Sequence, residues 1–310
     1  MNENIDALLD AELARGAPEV AVALARQLAE RAGDGTAAVL FYGSALRDTA
    51  LDGVLDFYIL LDRCADWPAS RTAALANRLL PPNVGYLETE LGGQTLRAKY
   101  AVMTLAQFHK AMSVRAIDTT LWARFSQPSI CLYARSEADR QNLRDAVRAA
   151  TLTAAQWAAL LGPERGKTLD YWRALYARTY RAELRVERSD RGADLVPRDA
   201  ARYAALLPAA WRAAGIEFDH DGDQLVPRSS PAERTAAGRR WALRQRLGRP
   251  LNALRLIKAA GTFDNGMDYI AWKVERHSGY RLEPTEFQRR HPVLAAPALY
   301  LRLRRNGVLR

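Results

Sequence analysis

The stretch TAAVLFYGSALRDTALDGVLDFYILLD, residues 36–62, decides how we interpret this chain. Its first half is a short continuous apolar segment that ends at Phe41-Tyr42, as in a buried strand, and Gly43-Ser44 interrupts it. In its second half Asp52 precedes Asp56, which opens the next apolar segment. The stretch predicts a strand, a glycine-serine turn, a polar loop and a second strand that carries acidic residues. An ordinary turn followed by a surface aspartate has the same pattern.

The composition is that of a folded protein in a reducing compartment. The 310 residues are 49% apolar and 26% charged, enough for one large domain or two ordinary ones. No apolar run reaches the roughly 18 residues of a membrane-spanning helix. The start, MNENIDALLDAELARG, is acidic and amphipathic, so we expect no secretory signal. Cys64 and Cys131 are too isolated for a disulfide framework or a metal site, which favours a cytoplasmic setting.

The charge of the chain is strongly positive. The net charge is +10 and the isoelectric point is near 9.8. This balance favours phosphate-bearing ligands, an anionic membrane surface or nucleic acid over cationic partners, and we rank nucleic acid below the other two. We therefore expect a protein that is either free in the cytoplasm or peripherally bound at the inner face of the cytoplasmic membrane.

The pattern of elements changes near residue 150. Up to that point strands and helices are mixed, whereas the later segments are predicted to be helical apart from a hairpin at 215–227. We predict an α/β protein with two domains. Residues 1–150 would form a mixed sheet flanked by helices, and residues 151–310 a mostly helical, winged-helix-like or irregular domain. Its basic tail would either lie on an anionic surface or pack as a C-terminal helix.

Residues 84–103 predict a β-hairpin with Gly92-Gly93 as its loop. The expected cross-strand pairs are Glu90–Thr95, Glu88–Arg97 and Tyr86–Lys99. Glu88 and Glu90 would share one face of their strand, because side chains two residues apart point the same way. Either of them supplies a metal ligand, or the pair belongs to a solvated face with a Glu88–Arg97 ion pair.

The layout of residues 36–62 resembles a nucleotidyltransferase site of the DNA polymerase β type. There the Gly-Ser backbone N–H groups hold a nucleoside triphosphate, and nearby carboxylates hold Mg²⁺. Such sites usually have two acids at spacing two, whereas Asp52 and Asp56 are at spacing four, about 13 Å apart on a straight strand. Either an Asp-Gly turn folds Asp52 back, or Asp56 works with another acid. The other candidates are Asp48, Glu88 and Glu90.

Three segments in order are similar to the mitochondrial-type phosphatidate cytidylyltransferase family, the translocator-maintenance kind of CDP-diacylglycerol synthase. They are Phe41-Tyr42-Gly43-Ser44 with Leu55-Asp56-Phe57, then Ala98-Lys99-Tyr100-Ala101-Val102, and then Leu121-Trp122-Ala123-Arg124-Phe125-Ser126-Gln127-Pro128. The order and spacing agree over residues 36–180 and more loosely to about 265. Alanines at 45, 101 and 123 and Gln127 depart from the family pattern, and the chain resembles a distant bacterial relative.

The resemblance implies CTP-dependent transfer to phosphatidic acid or a related lipid phosphate, which yields CDP-diacylglycerol or a similar CDP-lipid and pyrophosphate. It implies that Gly43 and Ser44 hold the triphosphate. Lys99 and Arg124 would contact phosphate, as Arg124 can do in a bidentate manner. Asp56, with Asp52 or Glu90, would bind Mg²⁺, or Mn²⁺ in its place, and act in catalysis.

Two other functions stay open on the sequence. Nucleotidyl transfer could be kept with RNA, protein or a small phosphorylated molecule as the acceptor. The chain could also be a binding protein that has the nucleotidyltransferase fold without its catalysis.

The basic segment 234–258 is interpreted as a solvated helix face, with contact to lipid headgroups or nucleic acid as the alternative. Trp157, Trp172 and Tyr176 have the spacing of helical core residues.

Overall fold

A computed structural model describes residues 4–46, 53–91, 93–182 and 191–305. The chain forms two compact units, each built from separate stretches of sequence. The first unit comprises Met1–Gly16 and Leu105–Leu254, and the second comprises Ala17–Thr104 and Arg255–Arg310.

The first unit is mostly helical. Its helices are α1 (Ile5–Leu13), α4 (Leu105–Ala111), α5 (Thr120–Phe125), α6 (Glu137–Leu161), α7 (Thr168–Ala182), α8 (Arg191–Arg198), α9 (Ala200–Ala213) and most of α10 (Pro231–Thr262). Its strands are β5 (Ser129–Ala134) and the hairpin β6 (Phe218–Asp221) with β7 (Gln224–Pro227). The hairpin predicted at 215–227 is thus confirmed.

The second unit holds the stretch 36–62. Its strands are β1 (Thr36–Tyr42), β2 (Val54–Leu61), β3 (Asn83–Leu91) and β4 (Gln94–Thr104). Its helices are α2 (Glu19–Glu30), α3 (Arg71–Leu79), α11 (Gly266–Ser278), α12 (Glu286–Arg290) and α13 (Pro292–Arg305), with the last residues of α10. The predicted α/β class, a mixed sheet with flanking helices followed by a mostly helical region, is confirmed.

The sheet of the second unit is mixed, in the order β3-β4-β2-β1. β1 and β2 are antiparallel, whereas β2 and β4 run parallel through eight register pairs from Val54–Arg97 to Leu61–Thr104. The apolar segments of β1 and β2 are buried, and Phe41 packs on Phe57 with ring centroids 5.3 Å apart. Burial of both faces explains why these strands have continuous apolar sequences.

The hairpin β3–β4 has the register that its sequence predicts. Tyr86 pairs with Lys99, Glu88 with Arg97 and Glu90 with Thr95. Gly93 has φ +76°, a backbone conformation that glycine adopts at low cost in a tight turn.

The tail of the chain packs as a helix. Leu299 and Leu303 of α13 are buried and form a small core with Met267, Ala271 and Leu282. Their spacing of four places them on one face of the helix. No helix among the described residues is long and apolar enough to cross a membrane.

Aromatic side chains form the core of the first unit. Trp122 and Trp241 are buried, with their centroids 6.3 Å apart, and Trp157 lies 5.3 Å from Trp241. Trp172 and Tyr176 are buried and stacked on each other. The interpretation of Trp157, Trp172 and Tyr176 as core residues is therefore confirmed.

The two units divide the chain differently from the predicted division at residue 150. That position lies inside the continuous helix α6, which has buried residues on both sides of it, among them Val147 and Ala154. α10 is likewise one continuous helix that runs through Pro250. Gly248 does not end the helix; a Cβ atom there would lie 2.6 Å from the carbonyl oxygen of Ala182 on α7. The glycine therefore permits two helices of the first unit to approach closely.

The basic segment 234–258 is only partly the solvated face that its sequence suggested. Arg244 is 4% exposed and donates to the carbonyl oxygens of Val114 and Ala116, at 2.8 and 3.0 Å. Its guanidinium carbon lies 4.5 Å from the Trp157 ring centroid. Burial lowers the pKa of Arg244, and the nearby Arg240 lowers it further.

Candidate functional site

The turn after β1 brings a glycine against an acidic side chain. Gly43 has φ +96°, which L side chains rarely adopt, and Ser44–Leu46 form a short 3₁₀ helix after it. A Cβ atom at Gly43 would lie 3.0 Å from Oδ2 of Asp56. The backbone of the turn therefore lies directly beside the Asp56 carboxylate, with no side chain between them.

Asp56 stands in a row of polar and aromatic residues across four strands. Its register partner on β1 is Tyr42, and its partner on β4 is Lys99. Lys99 in turn pairs with Tyr86 on β3. Because paired residues project from the same face of a sheet, Tyr42, Asp56, Lys99 and Tyr86 share one face, with neighbouring strands about 4.8 Å apart. The structure thus brings together four of the sequence-predicted site residues: Gly43, Ser44, Asp56 and Lys99.

The hairpin glutamates have partners of their own. Glu88 accepts hydrogen bonds from Arg97 Nε at 3.0 Å and from the Tyr86 hydroxyl at 2.8 Å. Burial raises the pKa of Tyr86, and the hydrogen bond to Glu88 raises it further. Glu90 accepts from Thr95 Oγ1 near the tip of the hairpin. The register places Glu90 two strands from Asp56 and four residues further along β4, about 16 Å at the backbone, too far for one shared metal ion.

The remaining candidates from the sequence are Arg124, Asp52 and Asp48. Arg124 belongs to the first unit, in the last turn of α5. Asp52 and the alternative acid Asp48 lie outside the described residues. Within the described part of the chain, no group of three or more His, Cys, Asp or Glu side chains could hold a metal ion.

Helix α11 carries residues of this site that the sequence analysis missed. The Tyr269 ring lies 5.6 Å from the Tyr86 ring and 5.6 Å from Lys99 Nζ. The Trp272 ring lies 5.9 Å from the Arg97 guanidinium carbon. The helix therefore covers the polar face of the hairpin. The segment 269–276, YIAWKVER, has aromatic and basic residues at the three- and four-residue spacing of a helix face, which is the signal that was overlooked.

The start of α11 is fixed to the edge strand by backbone hydrogen bonds. Tyr86 N donates to the carbonyl oxygen of Asp264 at 2.9 Å, and Asp264 N donates to that of Val84 at 3.2 Å. Asn265 turns the chain into the helix with φ 53°, and its Nδ2 donates to the Tyr86 carbonyl oxygen at 3.1 Å. Through these hydrogen bonds the backbone at Asp264 pairs with the outer edge of β3 over a single short bridge.

A partly buried polar cluster holds the same segment from the opposite face of the sheet. The Tyr100 hydroxyl donates to Asp264 Oδ2, and Arg31 donates to both groups at 2.7 and 2.9 Å. The Arg31 guanidinium also lies 4.9 Å from the Trp67 ring centroid. Burial raises the pKa of Tyr100, and the hydrogen bond to Asp264 adds to the rise. Gly85 is required here, because its Cβ atom would lie 2.3 Å from the Tyr100 ring.

Comparisons with known proteins identify no family. No family model matches the chain, and no curated protein matches it. Among solved structures, a nucleotidyltransferase-like protein from Exiguobacterium sibiricum 255-15 is similar at 12% sequence identity, with 93% of this chain and 92% of that chain covered. The TM-score is 0.28, too low for the likeness to support an argument about this chain.

Proposed function

We propose that this protein is a nucleotidyltransferase whose site is the Gly43 turn and the row through Asp56 and Lys99. One observation carries the proposal: a glycine turn with positive φ lies directly against the Asp56 carboxylate, with Lys99 as the neighbouring register partner. Backbone N–H groups of such turns bind phosphate oxygens, and an adjacent acid and lysine suit a nucleotide with its cation.

In the proposed reaction an oxygen of the acceptor attacks the α-phosphorus of a nucleoside triphosphate. The bond from the α-phosphorus to its bridging oxygen breaks, and pyrophosphate leaves with the electron pair. Gly43 and Ser44 would hold the phosphates, and Lys99 would neutralise negative charge that is concentrated on them. An acceptor phosphomonoester is already ionised, so no strong general base is required, and positioning would provide most of the rate enhancement.

Asp56 is the described residue that would hold a divalent cation. Mg²⁺ at nucleotide sites is bound through one or two carboxylates, with substrate phosphates and water as the other ligands, so one protein carboxylate beside a phosphate-binding turn fits it. Mg²⁺, or Mn²⁺ in its place, would supply charge neutralisation at the phosphates. Asp52 remains our proposal for a second ligand. Glu90 would take part only if the tip of the hairpin moved, because its position is far from Asp56.

We further propose CTP as the nucleotide and phosphatidic acid or a related lipid phosphate as the acceptor, with a CDP-lipid as the product. The support is the order of the three motif segments that carry Asp56, Lys99 and Arg124, together with the net charge of +10. A positive protein gains from peripheral contact with an anionic membrane surface, where such an acceptor resides. RNA, protein or a small phosphate as the acceptor is the alternative.

The test is an assay with α-labelled nucleotides. The purified protein is incubated with Mg²⁺, each of the four ribonucleoside triphosphates, and vesicles that contain phosphatidic acid. We expect label in a lipid product with CTP, accompanied by pyrophosphate. Label in RNA, in protein or in a small phosphate would keep the reaction and change the acceptor. No label in any acceptor would contradict the proposal and favour a binding protein without catalysis.

A further inference from the structure

We infer that helix α11 forms one wall of a phosphate-binding site, in which Lys273 and Arg276 act with Lys99 and Arg97 of β4. This inference rests on the proposed function for the identity of its ligand, and adds a recognition element that neither the motif segments nor the comparisons contain. The ligand chemistry is a phosphate group. Its source is either the triphosphate of the nucleotide or the phosphomonoester of the acceptor.

The four cations meet in pairs on two aromatic rings. Lys99 Nζ and Lys273 Nζ lie 5.6 and 5.9 Å from the Tyr269 centroid, so the two ammonium groups are within about 12 Å of each other. The guanidinium carbons of Arg97 and Arg276 lie 5.9 and 5.2 Å from the Trp272 centroid. The two rings are themselves stacked, with centroids 6.1 Å apart.

The helix places these side chains together by its own periodicity. Tyr269, Lys273 and Arg276 are at positions i, i+4 and i+7, and Trp272 lies between them, so all four are on one face of α11. We call this set the α11 face. Arg276 also reaches the start of β2: one of its terminal nitrogens would lie 3.8 Å from a Cβ atom at Gly53, three residues before Asp56.

The four cations of this face outnumber the described carboxylates of the facing strands. These are Asp56, the register partner of Lys99, Glu88, which is paired with Arg97 at 3.0 Å, and Glu90, which accepts from Thr95. On α11 itself Asp268 is bound by Arg289 at 3.0 Å instead. Cations that share two stacked rings repel one another, and an anion between them reduces that repulsion. The excess charge and the aromatic platforms together fit a phosphate ligand.

A cavity of about 480 Å³ in the second unit adjoins the α11 face. Arg97 and Trp272 line it, together with Tyr86, Glu88, Asp268 and Glu275. Its lining carries both signs of charge. There is therefore room for a ligand beside Arg97 and Trp272.

The decisive variant is Lys273→Gln/Arg276→Gln, since both side chains are exposed and neither is buried in the core. Its matched control is Lys110→Gln/Arg302→Gln, which removes the same charges from exposed positions on α4 and α13. Binding of CTP without added metal, and binding of glycerol 3-phosphate, are measured by calorimetry for wild type and both variants. Thermal unfolding is recorded for each protein.

We expect the α11 variant to bind at least one of the two probes about tenfold or more weakly, because a hydrogen bond to a charged group is worth at least about 1.5 kcal/mol. The control should bind as wild type does. Weakened binding of CTP assigns the site to the nucleotide, and weakened binding of glycerol 3-phosphate assigns it to the acceptor. Equal affinity of wild type and the α11 variant for both probes would overturn the inference, as would a wild type that binds neither.

A second readout covers the case in which the double variant unfolds. Trp272→Phe keeps an aromatic ring, so the fold should be preserved. The tryptophan fluorescence change that CTP or glycerol 3-phosphate causes in wild type should fall by half or more in this variant. An undiminished change would overturn the inference. These readouts measure binding, so their failure can be told apart from failure of the proposed function. If wild type transfers label but the α11 variant binds both probes as wild type does, only this inference is contradicted. If wild type transfers no label but the α11 variant binds a probe more weakly, only the proposed function is contradicted.

Discussion

Asp56 and Lys99 are register partners on adjacent parallel strands, and the carboxylate of Asp56 lies against the backbone of Gly43. The relationship joins two distant parts of the sequence, the turn after β1 and the second strand of the hairpin. An acid, a lysine and a glycine turn that share one sheet face are the parts that a nucleotide with its cation requires.

Replacing the acid should abolish transfer without unfolding the protein. Asp56→Asn keeps the shape of the side chain and removes the charge that a cation needs. We expect the rate of pyrophosphate release to fall roughly a hundredfold or more, as on loss of a transition-state contact. Glu90→Gln is the matched control, because Glu90 is two strands away and bonded to Thr95. A variant at Glu90 that lost as much activity as the one at Asp56 would refute our assignment of the acid.

The glycine turn should not tolerate a side chain. Gly43→Ala puts a methyl group 3.0 Å from Asp56 Oδ2 at φ +96°. We expect a loss of roughly 1–2 kcal/mol in the free energy of unfolding, together with displacement of Asp56 and lower activity. Gly238→Ala is the control, because Gly238 lies within α10 with no atom near its Cβ position, and alanine there should stabilise by about 0.5–1 kcal/mol. Urea unfolding of both variants measures the contrast, and equal stabilities would contradict it.

An ion pair inside the first unit should be important for stability. Arg202 is bound by Glu12, with side chains 16% and 11% exposed, and it also donates to the carbonyl oxygen of Ser126 at 3.1 Å. Burial alone would lower the pKa of Arg202, but Glu12 outweighs it and raises the pKa. Glu12→Gln leaves this cation without its counter-charge, so we expect a loss of about 3 kcal/mol in urea unfolding.

The matched control for this pair lies on the surface. Glu286 and Arg290 form an ion pair on α12 with side chains 67% and 72% exposed. Glu286→Gln should change the free energy of unfolding by less than about 0.5 kcal/mol, because solvent screens the pair. If Glu12→Gln and Glu286→Gln lowered the free energy of unfolding by similar amounts, burial of the Glu12–Arg202 pair would not account for its contribution to stability.

Lys258 should make stability depend on pH. Its ammonium donates to the carbonyl oxygens of Leu80 and Pro82, and burial, with a further effect of Arg255, lowers its pKa to about 8. Between pH 8 and 10 the unfolded chain therefore binds more protons at this lysine than the folded protein, so its contribution to stability rises with pH. The stability of wild type relative to Lys258→Met should increase across this range. A constant or falling difference in urea unfolding would contradict the assignment.

Local sequence patterns predicted the strands of the sheet, but they could not predict which strands pair when these are distant in the sequence. The Gly92-Gly93 loop and the alternation around it were enough for the register of β3 with β4. The parallel pairing of β2 with β4, which brings Lys99 to Asp56, has no local signal, because these strands are joined through α3 and β3. The local motif therefore singled out Asp56 as a candidate acid, but it could not show which strand lies beside it.

The role of basic residues was the hardest to predict. Arg244 and Lys258 were assigned to a solvated face, yet both donate to carbonyl oxygens at the ends or turns of other elements. Sequence periodicity does not show which carbonyl groups lie opposite a helix. Lys273 and Arg276 were missed for the same reason, since the strand residues that share their aromatic rings are more than 150 positions earlier.

Transfer of label from α-labelled CTP is the measurement that tests the central claim most directly. Wild type and Asp56→Asn are compared in parallel, with Mg²⁺ and phosphatidic acid vesicles, and with the other nucleotides and acceptors as further arms. We predict label in an acceptor, with one pyrophosphate released per label transferred, for wild type but not for Asp56→Asn. No label from any nucleotide to any acceptor, or equal transfer by the two proteins, would contradict the account.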